Sequence, residues 1–309
     1  MGGLRGRDFL TTNDFTQAEI QEILDFAFLL KKDFQQGKPH PLLPGKTLGM
    51  IFQKSSTRTR VSFEVGMAQL GGYALFLSAG DLQIGRGETI KDTARVLSRY
   101  LDGIMIRTFA HAEALELAEY ADIPIINGLT DLLHPCQAMA DLLTIWEYKG
   151  RLQGLKLAYV GDGNNMAHSL LLACSKMGMH VAVASPQDYQ PRADIVAQAL
   201  ENSRVHGTTV LVTTDPKCAV KDADIIYTDV WVSMGQEKER EKRLEIFKPY
   251  QVNLALIAKA AKDAIIMHCL PAHRGEEITE EVLEGPQSVI IAEAENRLHV
   301  QKAIMAKLL

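Results

Sequence analysis

Short apolar runs rich in β-branched residues alternate along this chain with stretches whose apolar positions recur every three to four residues. The runs read as buried strands and the stretches as helices laid against a sheet. Their strict alternation is the signature of parallel sheets with helices on both faces. In the first half, strands are expected in TLGMIFQ (47–53), YALFLS (73–78), GIMIRT (103–108) and IPIIN (123–127). In the second they are expected in LKLAYVGD (155–162), HVAVASP (180–186), TVLVTT (209–214), ADIIYTDV (223–230) and AIIMHCLP (264–271). Helices are expected over Thr89 to Tyr100, Ala112 to Tyr120, Met166 to Met177 and Arg192 to Asn202. The expected fold class is therefore α/β, with two doubly wound domains, each a central parallel sheet flanked by helices. Neither an internal repeat nor a low-complexity segment interrupts the pattern.

With 309 residues and 47% hydrophobic content, the chain is long and apolar enough for two cores. The boundary falls in the helical stretch HPCQAMADLLTIWEYKG (134–150), after which LKLAYVGD opens a second strand–helix series. The two domains are placed at 1–140 and 141–292. The closing stretch ENRLHVQKAIMAKLL (295–309) carries Leu298, Ile304, Met305 and Leu308 at helical spacing and is expected to pack back on the protein. Pattern alone leaves open which domain receives it.

A net charge of -5 and a pI near 6.0 offer no global electrostatic footprint for nucleic acid or an anionic membrane, so any anion site is local. MGGLRGRDFLTT has no apolar leader, and no later run approaches the roughly 18 apolar residues that span a bilayer. A soluble, cytoplasmic protein is expected. Cys136, Cys174, Cys218 and Cys269 are widely spaced with no CxxC pair, which argues against a disulfide framework or a zinc knuckle. Cys136 and Cys269 each lie near a histidine and are site candidates, whereas Cys174 reads as helix core.

Between the first strand and the next helix stands SSTRTR (55–60), four hydroxyls and two arginines. If the helix starts near Ser56, the N–H groups of Ser56 to Thr59 form an anion site at its positive end. The hydroxyls of Ser56, Thr57 and Thr59 add donors, and Arg58 adds a charged fork suited to phosphate. The simpler reading is an N-cap with arginines in water. In an open parallel sheet the ligand crevice lies beyond the carboxyl ends of the strands, so residues after other strands converge on the same place. Arg107 ends GIMIRT, His134 precedes a helix after IPIIN, and Gln83 lies in the loop DLQIGRGET. Three cations and a histidine suit an acyl phosphate, although His134 also reads as a structural neighbour of a helix cap beside Pro135.

The second half carries a different chemistry. GDGNN (161–165) follows a strand and opens a helix, but a dinucleotide fingerprint needs a glycine where Met166 stands. Asn165 instead offers amide groups. DVWVSMG (229–235) presents Asp229, Ser233 and Met234, a set that fits the ammonium and carboxylate of an amino acid or, more simply, a turn. His168 reads as a helix-surface residue or a neighbour of Asn165. MHCLPAHRGEEI (267–278) ends the last large strand, with Cys269 and the Leu270 carbonyl available and Pro271 stiffening the backbone.

STRTR, HPCQ, DVWVSMG and HCLP stand in the order and at the separations of the aspartate/ornithine carbamoyltransferase family, which the chain resembles over essentially its whole length. STRTR with HPxQ marks the wider family, and SMG with HCLP is similar to its ornithine branch. The resemblance implies that Ser56, Thr57, Arg58 and Thr59 hold carbamoyl phosphate in the first domain, with Arg107, His134, Gln137 and Arg297 in contact with its phosphate and carbonyl ends. Gln83 is implied to reach this site from a neighbouring subunit of a homotrimer or an assembly of trimers. Ornithine is implied to be bound in the second domain by Asn165, Asp229, Ser233 and Met234. Cys269 and Leu270 would border the carbamoyl phosphate and the δ-amine, and the helix 293–309 would pack on the first domain.

The implied catalytic set is Arg58, Arg107, His134, Asp229 and Cys269, with neither metal nor organic cofactor. Thr59, Arg107 and His134 supply donors to the oxyanion that develops as the amine attacks. The δ-amine has a reference pKa of about 10.4, like lysine, and must lose a proton first, to Cys269, Asp229 or the substrate phosphate. Two alternatives stand beside this reading: a carbamoyltransferase for another amine, and a catalytically silent binding subunit. DLQIGRGET lacks the serine and lysine of the aspartate branch, which weighs against that acceptor.

Overall fold

The computed structural model describes residues 3–83, 87–233, 235 and 237–309. The chain divides into two compact units, one running to Leu143 and taking up Glu295–Leu309, the other Thr144–Ala294. Each of the nine apolar runs forms a strand.

The first unit contains β1 (Thr47–Phe52), β2 (Tyr73–Ser78), β3 (Gly103–Arg107) and β4 (Ile125–Leu129), all parallel in the order β2-β1-β3-β4. Its helices are α1 (Gln17–Gln35), α2 (Thr57–Gln69), α3 (Ile90–Leu97) and α4 (His111–Tyr120), and α5 (Pro135–Lys149) crosses the unit boundary. β4 starts two residues later than its apolar run because Pro124 has no N–H for the ladder. It runs on to Leu129 through an irregular register at Ile106/Arg107. All five residues of β3 are buried, whereas edge strand β2 exposes Tyr73 and Leu75, the outcome expected of a central and an edge position.

The second unit holds β5 (Lys156–Val160), β6 (His180–Ala184), β7 (Val210–Thr213), β8 (Ile225–Thr228) and β9 (Ile265–His268), parallel in the order β7-β6-β5-β8-β9. Around them lie α6 (Asn165–Lys176), α7 (Ala193–His206), α8 (Pro216–Val220), α9 (Arg240–Phe247), α10 (Leu254–Ile257) and α11 (Glu280–Leu283). Helix α7 runs one turn beyond its expected end and stops at Gly207, whose φ of 65° suits a residue without Cβ. Its core includes Val160, Ile226, Trp231, Phe247, Val252 and Ile266. His168 is not on a helix surface. It is buried, and its Nε2 accepts the Arg192 N–H at 3.0 Å, because α6 is covered along almost its whole length.

The last helix, α12 (Ile290–Leu308), enters the first unit at Glu295. Gly66 lets α2 approach it closely: a Cβ there would stand 3.1 Å from Met305 Cε and 3.3 Å from Lys302 Cγ. Six of its polar residues, Glu293, Asn296, Arg297, His299, Gln301 and Lys302, are buried. Lys31 Nζ donates to Asn296 Oδ1 at 2.8 Å, and Lys302 Nζ donates to Gln69 Oε1 at 2.9 Å and lies 3.0 Å from His40 Nε2. His299 is fully buried with its ring 5.6 Å from that of Phe34, and it faces Lys302, Lys31, His40 and, at 3.6 Å, the Glu295 carboxylate.

Burial, followed by the charges of Lys302, Lys31 and His40, pushes the His299 pKa down to about 3 from 6.5. An unfolded chain takes up that proton as pH drops below 6.5 while the folded chain refuses it, so the stability present above 6.5 is lost progressively toward pH 3. The expected loss between pH 6.5 and about 4.5 from this residue is on the order of 2 kcal/mol. Urea titrations of the parent and of His299→Gln at both pH values check it: the parent should lose more stability than the variant, and equal losses contradict the assignment.

Candidate active site

In the first unit the strand order reverses between β1 and β3, the place where an open α/β sheet leaves a crevice at its carboxyl edge. Residues 53–56 leave β1 there and feed α2. Ser56 is extended at φ -163° and caps the helix, its Oγ accepting the Thr59 N–H at 3.2 Å. One hydroxyl of the motif is therefore a helix cap, as the simpler reading expected. Thr59 is buried, and its Oγ1 accepts from Arg297 Nη2 at 3.0 Å and from Arg107 Nη1 at 3.5 Å. Arg297 Nη1 donates to Gln137 Oε1 at 2.7 Å, and Gln137 Nε2 donates to Asp141 Oδ1 at 2.9 Å.

Arg107 at the end of β3, His134 before α5 and Arg297 on α12 are all buried, and Arg58 is half-buried. The His134 imidazole is held well below its usual range by burial and then by Arg297, Arg107 and Arg58, so it is neutral and able to donate one hydrogen bond. Three guanidinium groups and a neutral imidazole at a helix N-terminus suit a multiply charged anion that also carries a carbonyl. Arg60 points elsewhere: its Nε pairs with Glu64 at 3.0 Å and its guanidinium lies 3.8 Å over the Phe76 ring. Cys136 is a core group. Its Sγ donates to Asn127 O at 3.4 Å, and burial pushes the thiol up to about 12. Gln83 is exposed in the loop that follows edge strand β2.

In the second unit the reversal lies between β5 and β8. After β5, the glycines of GDGNN serve loop geometry. Gly161 has φ 147°, and a Cβ on Gly163 would stand 2.3 Å from Pro191 N. Asn164 caps α6, its Oδ1 accepting the Met166 N–H at 2.9 Å, while its Nδ2 donates to Asp229 Oδ2 at 2.9 Å. Asp229, beyond the end of β8, is buried, and its Oδ1 accepts the Val230 N–H at 2.8 Å and the Cys269 thiol at 3.1 Å. The segments that follow three strands, β5, β8 and β9, thus meet on one carboxylate.

Asn165 lies half-buried in the first turn of α6, and Ser233 is half-buried. Met234 lies outside the described residues. Leu270 adopts φ 58°, its N–H donating to His268 Nδ1 at 2.9 Å, and His268 Nε2 lies 3.0 Å from Glu277 Oε1. Asp229, His268 and Cys269 offer ligand atoms within 4.8 Å of one another, as do His273, Glu276 and Glu277. Hydrogen bonds already bind these atoms together: His268 Nδ1 accepts from Leu270, Cys269 donates to Asp229, and Arg240 holds Glu276.

The sequence reading named Asn165 but not its neighbour Asn164, which caps α6 and holds Asp229. The signal was available, since asparagine directly before a helix is a favoured cap. It also missed Arg243, whose Nη1 donates to Asp162 Oδ2 at 2.9 Å and to the Trp231 carbonyl at 2.8 Å, joining the loops after β5 and β8. Burial raises the Asp162 pKa to about 6 despite that arginine. No local pattern announced this pair, whose members stand 81 residues apart.

Residues 7–147 match the family model described as aspartate/ornithine carbamoyltransferase, carbamoyl-P binding domain, and residues 153–308 match its Asp/Orn binding domain. The second match runs through α12, although the helix from Glu295 onward packs with the first unit. The ornithine carbamoyltransferase of Anoxybacillus flavithermus is 61% identical over 99% of this chain and 98% of its own length. The anabolic ornithine carbamoyltransferase of Pyrococcus furiosus is 57% identical over 98% of this chain and 96% of its own. A solved structure of ornithine carbamoyltransferase from Pyrococcus furiosus superposes with a TM-score of 0.97 at 56% identity, covering 100% of this chain and 98% of that one. With both family domains matched in order and relatives of this identity over nearly the full length, the chain belongs to the aspartate/ornithine carbamoyltransferase family.

Proposed function

We propose that this chain transfers the carbamoyl group of carbamoyl phosphate to the δ-amine of L-ornithine, giving L-citrulline and phosphate, the reaction classified as EC 2.1.3.3. The convergence of Arg107 and Arg297 on Thr59, beside a neutral His134, carries this reading. The phosphate sits at the N-terminus of α2 against Ser56, Thr57, Arg58 and Thr59, with Gln137 and Arg297 holding its far side. Arg107, His134 and Thr59 donate to the carbamoyl oxygen, where negative charge grows in the transition state. A neutral His134 serves here because it donates without a competing proton loss. Ornithine is held by Asp229, Asn165, Ser233 and Met234, with Asn164 fixing the carboxylate, and Cys269 and Leu270 border its δ-amine. Positioning and electrostatics suffice for the transfer, so no metal or organic cofactor is invoked.

The biosynthetic direction is supported by the anabolic name of the Pyrococcus furiosus relative. A cytoplasmic location is supported by four cysteines that form no disulfide with one another. Among the described residues no helix is long and apolar enough to cross a membrane. A homotrimer, alone or in stacked trimers, is supported by apolar side chains exposed on edge strand β2 and on α2, namely Tyr73, Leu75, Val61 and Val65. Gln83, in the loop after β2, is then the residue that completes a neighbour's site.

A ureido-product assay with carbamoyl phosphate and, separately, ornithine, aspartate or putrescine should give product from ornithine alone. Product from another amine would move Asp229 and the SMG motif to a different acceptor, and no product from any would favour a silent subunit. Arg58→Gly should lower kcat/KM for carbamoyl phosphate by about 1,000-fold, the scale of losing a charged donor to a transition state, and unchanged turnover would refute the cradle. For the shared site, Arg58→Gly and Gln83→Ala chains are dissociated together and reassembled. Mixed assemblies should regain part of the parent activity, because some sites then receive both intact residues; no regain above the separate preparations argues against a Gln83 contribution across subunits.

A further inference from the structure

Arg297 is held from behind by a residue that the motifs do not include. Gln301 stands four residues further on α12, hence on the same helical face, and is fully buried. In the amide orientation that satisfies both ends of the side chain, its oxygen accepts from Arg297 Nε and Nη2 at 3.2 Å each, and its nitrogen donates to Ser62 Oγ at 2.6 Å. Ser62 lies one turn after Thr59 on α2, and its hydroxyl donates to the Thr59 carbonyl at 3.2 Å. With that proton committed, the hydroxyl accepts from Gln301, so the amide nitrogen faces Ser62 and the amide oxygen faces the guanidinium. The chain of bonds starts and ends at Thr59: its carbonyl orients Ser62, and its hydroxyl receives Arg297.

We propose that Gln301, oriented by Ser62, is a positioning residue that fixes the Arg297 guanidinium for the phosphate of carbamoyl phosphate. Gln301 and Thr59 grip one edge of the fork and Gln137 the other, which leaves the planar group a single orientation. An arginine side chain has many rotamers, and setting it before the anion arrives removes the cost of ordering it from the binding step. The effect falls on ground-state affinity for the anion rather than on the chemistry. The proposal rests on the reading that Arg297 contacts carbamoyl phosphate.

Gln301→Met keeps the length and volume of the side chain and removes both bonds. It should raise the KM for carbamoyl phosphate and the inhibition constant of inorganic phosphate by about tenfold, the scale of one bond to a charged group. The kcat and the KM for ornithine should stay within about twofold of the parent. Ser62→Ala, a small truncation at a half-buried position, should shift the same two constants in the same direction by less, and it decides the matter if Gln301→Met does not fold. Adding Ser62→Ala to Gln301→Met should change little further, because both act on one amide. Arg297→Met is measured beside them. If it leaves both constants unchanged, the contact beneath the proposal fails and the proposal with it. If it raises them while Gln301→Met and Ser62→Ala do not, the proposal alone is wrong. A fall in thermal stability with neither constant altered would mark Gln301 as a packing residue only.

Discussion

Everything in the first unit is arranged around buried positive charge. Arg107 and Arg297 are almost entirely covered, and both direct a guanidinium at the Thr59 hydroxyl. A buried cation is costly unless hydrogen bonds and an opposing charge meet it, so the surroundings have to supply donors and acceptors at defined positions. Gln137 and Gln301 accept from Arg297, and Asp141 and Ser62 in turn hold those two amides. Burial, and after it the same charge, holds His134 neutral, which turns a residue that ordinarily titrates near physiological pH into a fixed hydrogen-bond donor. It also explains why the last helix is polar on its buried face. Asn296, Arg297, Gln301 and Lys302 are there to engage α1 and α2 and the residues around them, and a purely apolar helix would leave those groups unsatisfied.

The two units solve the same topological problem with opposite charge. Each places its functional loops where the strand order reverses, after β1 and β3 in one and after β5 and β8 in the other. In the first unit the helix after β1 begins with arginine and hydroxyls, a concentration of donors and positive charge. In the second, the helix after β5 begins with asparagines, and Asn164 divides its amide between capping α6 and holding Asp229. The carboxylate there is positioned by an amide, a backbone N–H and a thiol, a set that orients it without neutralising it. Both arrangements stand on the same parallel-sheet architecture.

Much of this was legible in the chain itself. Apolar runs located every strand among the described residues, because the central parallel strands are covered on both faces and therefore continuously apolar. Errors were confined to ends: Pro124 delayed β4, and Gly207 set the stop of α7 later than the pattern implied. SSTRTR announced charge at a helix start, and Arg107, His134 and Asp229 stand at the carboxyl edges of their own sheets. Local signals of this kind are readable because they depend on residues a few positions apart. Where the pattern was ambiguous, as at Asn164 and Asn165, the choice between neighbours depended on which side chain the fold turns toward Asp229.

What the sequence by itself determined is the alternation of strand and helix, the two-domain division of chemistry and the residue types available at each strand end. Only the tertiary structure decided which of them cooperate. It separated Arg58 from Arg60, sending the second to Glu64 and Phe76. It made Cys136 an inert core thiol and His168 a buried acceptor. It also brought Arg297 to Thr59 across 238 positions and Arg243 to Asp162 across 81. The reason is physical. Hydrophobic periodicity is a property of neighbours along the chain, whereas the pairing of buried polar groups depends on packing that brings distant segments together, and no local pattern encodes which distant partner a buried charge will meet.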